Sequence, residues 1–174
     1  ELTINEFQTG QSTIVGHANA DGAITVGAVL YSNTPNYGVD PPTVASFSSR
    51  GGNLVNGVSR NKPDLCAPNG VNTTVDLGGF NIDGDAFPNF FGTSAAAPHV
   101  AGVAALLQSA KVKFEGSQIA PDSLRQLLTS TSIDMYSSGY DKASGSGFIQ
   151  ADQALLSFAN PYPFLDQISI TDTT

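Results

Sequence analysis

Residues Phe91–Leu107, FGTSAAAPHVAGVAALL, decide the fold of this chain. From Ala95 onward His99 is the only polar side chain, so the pattern predicts a helix with no solvent-facing side, buried on all sides. Pro98 lacks an N–H and its ring would clash with the carbonyl of Ser94, so the helix should begin within a turn of that serine. A helix N-terminus gathers free N–H groups and about half a positive charge, which suits a developing oxyanion. Ser94 is therefore a candidate nucleophile, and a helix N-cap is the structural alternative.

The amino-acid composition limits the classes of protein to which this chain can belong. The chain has 174 residues, of which 40% are hydrophobic and 13% are charged, which is typical of one compact globular core. Seven basic and fifteen acidic residues give a net charge of −8 without a basic cluster, so we expect no nucleic-acid partner. No apolar run of about 18 residues occurs, so we expect no membrane span. The single cysteine, Cys66, lies in an apolar run and is predicted to be a buried packing residue.

The sequence around Ser94 carries a family resemblance. Residues 92–102, GTSAAAPHVAG, resemble the nucleophile motif of the subtilisin-like serine proteases, the subtilases, almost position for position. The departure is Ala95, where many members carry methionine, and this change leaves the hydroxyl untouched. The sedolisins share a shorter Gly-Thr-Ser signature, but the continuation from Pro98 to Gly102 resembles the subtilases.

The resemblance implies a fold, an activity and a location. The fold is α/β, part of a subtilisin-like parallel sheet with a buried central helix after the nucleophile and further packing helices. The activity is that of a serine endopeptidase, which hydrolyses a polypeptide substrate through an acyl-enzyme on Ser94. The location implied is secreted or at the cell surface.

Five further segments predict secondary structure. The apolar run 23–30 predicts a strand buried on both faces of a parallel sheet. Residues 44–51 resemble an edge strand of the subtilases that runs into a loop. Residues 71–75 alternate enough for a short strand, and residues 121–130 predict an amphipathic helix with a leucine stripe. Residues 139–156 resemble the Gly-x-Gly segment and helix that close a subtilase catalytic domain.

Three other polar residues have side chains that could serve in catalysis. His17 precedes Ala18-Asn19, whereas the subtilase base lies in a His-Gly-Thr setting, so we expect a loop histidine. Asp64 resembles the structural aspartate that follows Lys-Pro in the family, with a salt bridge or turn cap as its expected role. His99 follows Ser94 by five residues at roughly 100° each, so it points about 140° away and is expected to bond to the backbone.

The loop before Ser94 has some features of a calcium site. Asn81, Asp83 and Asp85 are spaced two residues apart, like the first ligands of a calcium-binding loop. The calcium-loop motif requires a glycine at position 86, but the glycine among these residues is Gly84. The motif also requires a bidentate glutamate at position 92, which is Gly92 in this chain. We therefore expect no cofactor, with a structural calcium as the alternative to a solvated acidic turn.

The resemblance also predicts the domain organisation and the partners. Residues 1–160 match the C-terminal half of a subtilase catalytic domain, and residues 161–174 indicate a linker or the start of a truncated following domain. By family chain order, the catalytic Asp, the His and the oxyanion Asn would all precede residue 1. We therefore expect an inactive isolated chain that needs its N-terminal half and self-associates. The alternatives are a subtilase-like pseudoenzyme that serves in binding or assembly, and a peptide-cyclising acyl transferase.

Overall fold

Two parallel strands form the centre of the molecule. A computed structural model describes residues 10–75, 78 and 80–159. Strand β1, Val26–Leu30, pairs in parallel with strand β4, Leu65–Asn69, with Val26 opposite Leu65. The central residues of both strands are buried, as expected for apolar strands covered on both faces. The strand predicted at 23–30 is confirmed, although it begins three residues later.

Helices cover one face of this pair. Helix α1, Thr93–Glu115, packs on both strands and ends at Gly116, which adopts a left-handed conformation. Helix α2 runs over Pro121–Ser130, the range predicted, and helix α3 over Ala151–Leu156. One hydrophobic cluster unites the strands with all three helices, and its fully buried members include Ala28, Leu65, Ala67, Ala96, Leu128 and Ala154. The α/β class is therefore confirmed.

Irregular chain covers the opposite face. Val29 and Cys66 point there and pack against Met135 and Phe148. Burial raises the pKa of the Cys66 thiol from its ordinary value of 9.0 to about 12. The predicted role of Cys66 as a buried packing residue is confirmed.

The outer edge of β1 differs from the expectation for residues 44–51. These residues form no strand in the structure, and Val44 makes a single bridge to Val29. The Ala28 N–H donates to the Ser48 hydroxyl at 3.0 Å, and the Ala28 carbonyl accepts from the Ala45 N–H at 2.7 Å. A serine side chain therefore takes the place of a strand's carbonyl, which turns the chain away from the sheet edge.

Two hairpins complete the described fold. Strands β2, Leu54–Val55, and β3, Val58–Ser59, are antiparallel and joined by Asn56-Gly57, both of which have positive φ. Strands β5, Val71–Asn72, and β6, Asn89–Phe90, are also antiparallel, so the strand predicted at 71–75 is found in its first two residues. In the part of the chain that is described, no helix is long and apolar enough to cross a membrane. The predicted linker, residues 161–174, lies outside the described residues.

Candidate active site

Ser94 lies at the carboxyl end of the parallel pair. The β5–β6 hairpin is fixed to the end of β4, since the Gly70 N–H donates to the Phe90 carbonyl at 2.8 Å. The chain then passes through Gly92 into α1, where Ser94 is the second residue and is exposed. The helix begins one residue before Ser94, as the position of Pro98 predicted.

Gly92 shapes the turn that presents the serine. It is the N-cap of α1, with φ 117° and ψ 169°, a conformation that strongly favours glycine. A Cβ added there would lie 3.1 Å from Ser94 Oγ, which is tighter than ordinary contact. The Gly92 carbonyl accepts from the N–H groups of Ala95 and Ala96, so the N–H groups of Thr93 and Ser94 are left without an acceptor among the described residues. Ser94 therefore combines an exposed hydroxyl with the helix N-terminus suited to an oxyanion.

Neither histidine of the chain is positioned as a base for Ser94. The His99 ring places Nδ1 2.8 Å from the Ala95 carbonyl, so Nδ1 carries a proton and donates it. This is the backbone hydrogen bond expected for His99. His17 is exposed in the 3₁₀ turn Gly16–Asn19, which Thr25 and Arg60 hold through side-chain hydrogen bonds at the amino ends of the strands. His17 thus lies at the other end of the sheet from Ser94.

Asp64 belongs to a buried ionic cluster at that amino end. Its Oδ2 lies 2.8 Å from Lys62 Nζ and accepts from the Thr25 N–H at 2.7 Å. Its Oδ1 lies 3.6 Å from Arg125 Nε. The expected salt bridge is therefore present. The five residues of β4 separate Asp64 from the Ser94 end of the sheet by about 16 Å, too far to orient a catalytic base there.

The acidic loop before the nucleophile is held by its own hydrogen bonds. Asn81 Oδ1 accepts from the Gly84 N–H at 2.7 Å, and Asp85 Oδ1 accepts from the Phe87 N–H at 2.7 Å. Asp83 accepts from the Asn89 amide at 3.2 Å, and this hydrogen bond holds the pKa of Asp83 below its usual value. Amide hydrogens thus engage oxygens that calcium would need. The expectation of no cofactor, with a structural calcium in this loop as the alternative, stays a prediction.

Asn69 is the residue of this region that the sequence reasoning missed. It ends β4, it is fully buried, and its Oδ1 lies 3.4 Å from the Gly92 nitrogen. The available signal was a polar residue directly after the apolar run Leu65–Pro68. Side chains at the carboxyl ends of parallel strands are the ones that meet at the sites of α/β proteins.

The comparisons with known proteins identify the family of the chain. The subtilase family model, peptidase S8, matches residues 5–151, and the chain belongs to that family. The serine protease AprX of Bacillus subtilis is 33% identical over 153 residues, which are 82% of this chain and 32% of the relative. Fervidolysin of Fervidobacterium pennivorans is 35% identical over 119 residues, 64% of this chain and 16% of the relative. The chain therefore spans about a third of one relative and about a sixth of the other.

Solved structures show the same fold. The CspB protease of Clostridium perfringens matches with a TM-score of 0.64 at 24% identity, over 87% of this chain and 30% of that protein. The crystal structure of fervidolysin, described as a keratinolytic enzyme related to subtilisin, matches with a TM-score of 0.52 at 31% identity, over 84% and 20% of the two chains. The predicted subtilisin-like α/β fold is thereby confirmed.

Proposed function

We propose that this chain carries the nucleophile of a subtilisin-like serine endopeptidase and does not hydrolyse peptides by itself. The observation that supports this most directly is the position of Ser94, exposed at the N-terminus of α1 and at the carboxyl end of the parallel strands. AprX is a serine protease and fervidolysin is related to subtilisin, which supports a polypeptide as the substrate. The location proposed with this activity is outside the cell or at its surface.

The proposed reaction is acyl transfer through Ser94. The Oγ attacks the carbonyl carbon of the scissile peptide while a histidine accepts the hydroxyl proton. The oxyanion is stabilised by the Ser94 N–H and a second donor. The C–N bond then breaks, the amine leaves with the proton held by the histidine, and water hydrolyses the resulting ester to regenerate the serine.

The isolated chain lacks partners for this serine among its described residues. His99 donates to its own helix, His17 lies at the opposite end of the sheet, and Asp64 is bound to Lys62. A serine without a base keeps a high pKa and is a weak nucleophile. We propose that the base, the carboxylate that orients it and the second oxyanion donor come from the N-terminal half of the catalytic domain.

Peptide hydrolysis by two proteins tests the proposal. The chain alone should show no hydrolysis, and a longer protein that contains this chain with the rest of its catalytic domain should be active. Ser94→Ala should abolish that activity, whereas Ser109→Ala, at an exposed serine of the same helix, should preserve it. Equal rates for the chain and the longer protein would overturn the proposed inactivity of the chain.

The products separate the remaining alternatives. An endopeptidase releases linear peptides, whereas a cyclising acyl transferase joins the acyl group to an amine of the same peptide. A folded longer protein that neither cleaves nor cyclises any peptide would favour the pseudoenzyme.

A further inference from the structure

Asn69 lies beneath the turn that presents Ser94. It is the last residue of β4, and side chains alternate along a strand, so Asn69 is on the same face as Leu65 and Ala67. Those two residues pack in the cluster that contains Ala96 of α1. The Asn69 carboxamide is therefore enclosed between the sheet and the first turn of α1, with no exposed surface.

The carboxamide is oriented by one hydrogen bond to this turn. The Gly92 N–H is a donor, so the atom that faces it must be the acceptor Oδ1, and the orientation of the amide follows. The N···O distance is 3.4 Å, which is long for such a bond. Hydrogen bonds in catalytic sites are often long before the site is complete and shorten in the complex with substrate.

The other half of the carboxamide has no partner. Nδ2 of Asn69 is buried and makes no hydrogen bond in the part of the chain that is described. A buried donor without an acceptor lowers stability, and an apolar side chain of similar size would avoid that cost. Packing alone therefore gives no reason for an amide at this position, whereas contact with Gly92 does.

We propose that Asn69 is a positioning residue for the nucleophile, because its Oδ1 holds Gly92 and Gly92 sets the place of the Ser94 hydroxyl. The inference rests on the proposed function, since it concerns the same serine. The free Nδ2–H is available to an acceptor oxygen that reaches the turn when the catalytic domain is complete.

The hydrogen bond is tested in the chain itself by amide hydrogen exchange. Asn69→Leu should speed exchange at Gly92 by about 10-fold, the change expected for the loss of one ordinary hydrogen bond. Exchange at Gly116, whose N–H donates to Val112 at the other end of α1, should not change. Asn36→Leu, at an exposed asparagine, should change neither amide. Unchanged exchange at Gly92 in Asn69→Leu would overturn the proposed hydrogen bond.

Catalysis by the longer protein distinguishes positioning from packing. If Asn69 positions Ser94, Asn69→Leu should lower kcat by about 10²-fold with little change in KM, since a small displacement of a reacting group has that effect. Asn69→Asp keeps an acceptor oxygen for Gly92 in either protonation state and should recover most of kcat. A packing role predicts the opposite order, because leucine tolerates burial and a carboxylate does not.

Each outcome bears on one claim. A higher kcat for Asn69→Leu than for Asn69→Asp would overturn the positioning role and leave Ser94 as the nucleophile. A folded longer protein without any activity would overturn the proposed function, while the exchange at Gly92 still decides whether Asn69 fixes the turn.

Discussion

Burial separates the reactive side chains of this molecule at the residue scale. Cys66 of β4 is fully buried against the irregular chain on the opposite face of the sheet, and its pKa is raised to about 12. Ser94 is exposed at a helix N-terminus. A thiol is intrinsically more nucleophilic than a hydroxyl, yet Cys66 is the inert side chain in this fold. Only the thiolate reacts, and burial suppresses its formation.

The reactivity of Cys66 follows from that pKa. At pH 8, a thiol with a pKa near 12 forms roughly 10³-fold less thiolate than one with a pKa near 9, so disulfide-exchange reagents should modify the native chain very slowly. Unfolding in urea should restore full labelling, and Cys66→Ser should remove it. A native rate equal to the unfolded rate would contradict the burial of Cys66.

The raised pKa of Cys66 also determines the direction in which the stability of the fold changes with pH. The pKa of Cys66 is higher in the folded state than in the unfolded state. The contribution of Cys66 to the free energy of unfolding is therefore fully present below about pH 9 and is lost as pH rises towards 12. Urea unfolding of the chain and of Cys66→Ala should therefore differ most below pH 9, with the difference shrinking above it. A difference that grows with pH would contradict this sign.

Single residues can be predicted from the sequence when a chemical constraint is visible in it. Pro98 limits where the helix can begin, and the structure begins α1 one residue before Ser94. The backbone bond of His99 follows from helix geometry. Asn69 could not be found this way, because its role depends on Gly92, 23 residues away in the chain.

At the scale of elements, α1 is the feature whose surroundings differ from the expectation. The sequence predicts burial on all sides, whereas the buried residues of α1 are Ala95, Ala96, Val100 and Leu107. The last three belong to the cluster that covers one side of the helix. Leu106 is 69% exposed. Two five-residue strands and two shorter helices cannot enclose a helix of 23 residues, which is about 34 Å long.

Element prediction fails where a side chain replaces a backbone partner. The apolar run of β1 predicts a strand, and the leucine spacing of α2 predicts a helix, because each pattern matches the period of its element. Residues 44–51 also resemble a strand, but Ser48 binds the N–H of Ala28 and the chain turns there. A hydroxyl that replaces a backbone partner in strand pairing cannot be recognised from the sequence alone, because the position of the neighbouring strand is not known at that point.

Glycine substitutions test the packing around α1. Gly102 lies in the helix, and a Cβ added there would have no neighbouring atom within 4 Å, so Gly102→Ala should stabilise the chain by about 0.5–1 kcal/mol in urea unfolding. Gly147 is the contrasting control, because its φ is 114° and a Cβ would lie 2.0 Å from the Ile133 carbonyl oxygen. Gly147→Ala should destabilise, and a destabilising Gly102→Ala would show that this side of α1 is covered.

For the whole molecule, uncovered apolar surface is the feature with consequences. Leu106, Val112 and Phe114 on α1 are exposed, as are Leu155 and Leu156 of α3. Exposed apolar patches are typical of surfaces that bind another protein. The net charge of −8 opposes association. The balance between apolar attraction and charge repulsion therefore decides whether copies of the chain associate.

We propose that the isolated chain self-associates through this surface. Leu106→Lys should lower the average mass measured by light scattering at high concentration, because it places a charge in the apolar surface of α1. Leu54→Lys is a matched control, since Leu54 is 67% exposed in the β2–β3 hairpin and the change in charge is identical. A strictly monomeric parent chain, or equal effects of the two substitutions, would contradict the proposal.

The identity of the nucleophile is tested most directly by a covalent probe. A fluorophosphonate that reacts with activated serines is added to the longer folded protein, and the modified peptide is located by mass spectrometry. One adduct is expected, on Ser94, and it should be absent in Ser94→Ala and retained in Ser109→Ala. An unlabelled folded protein, or an adduct that persists in Ser94→Ala, would contradict the assignment of Ser94 as the nucleophile.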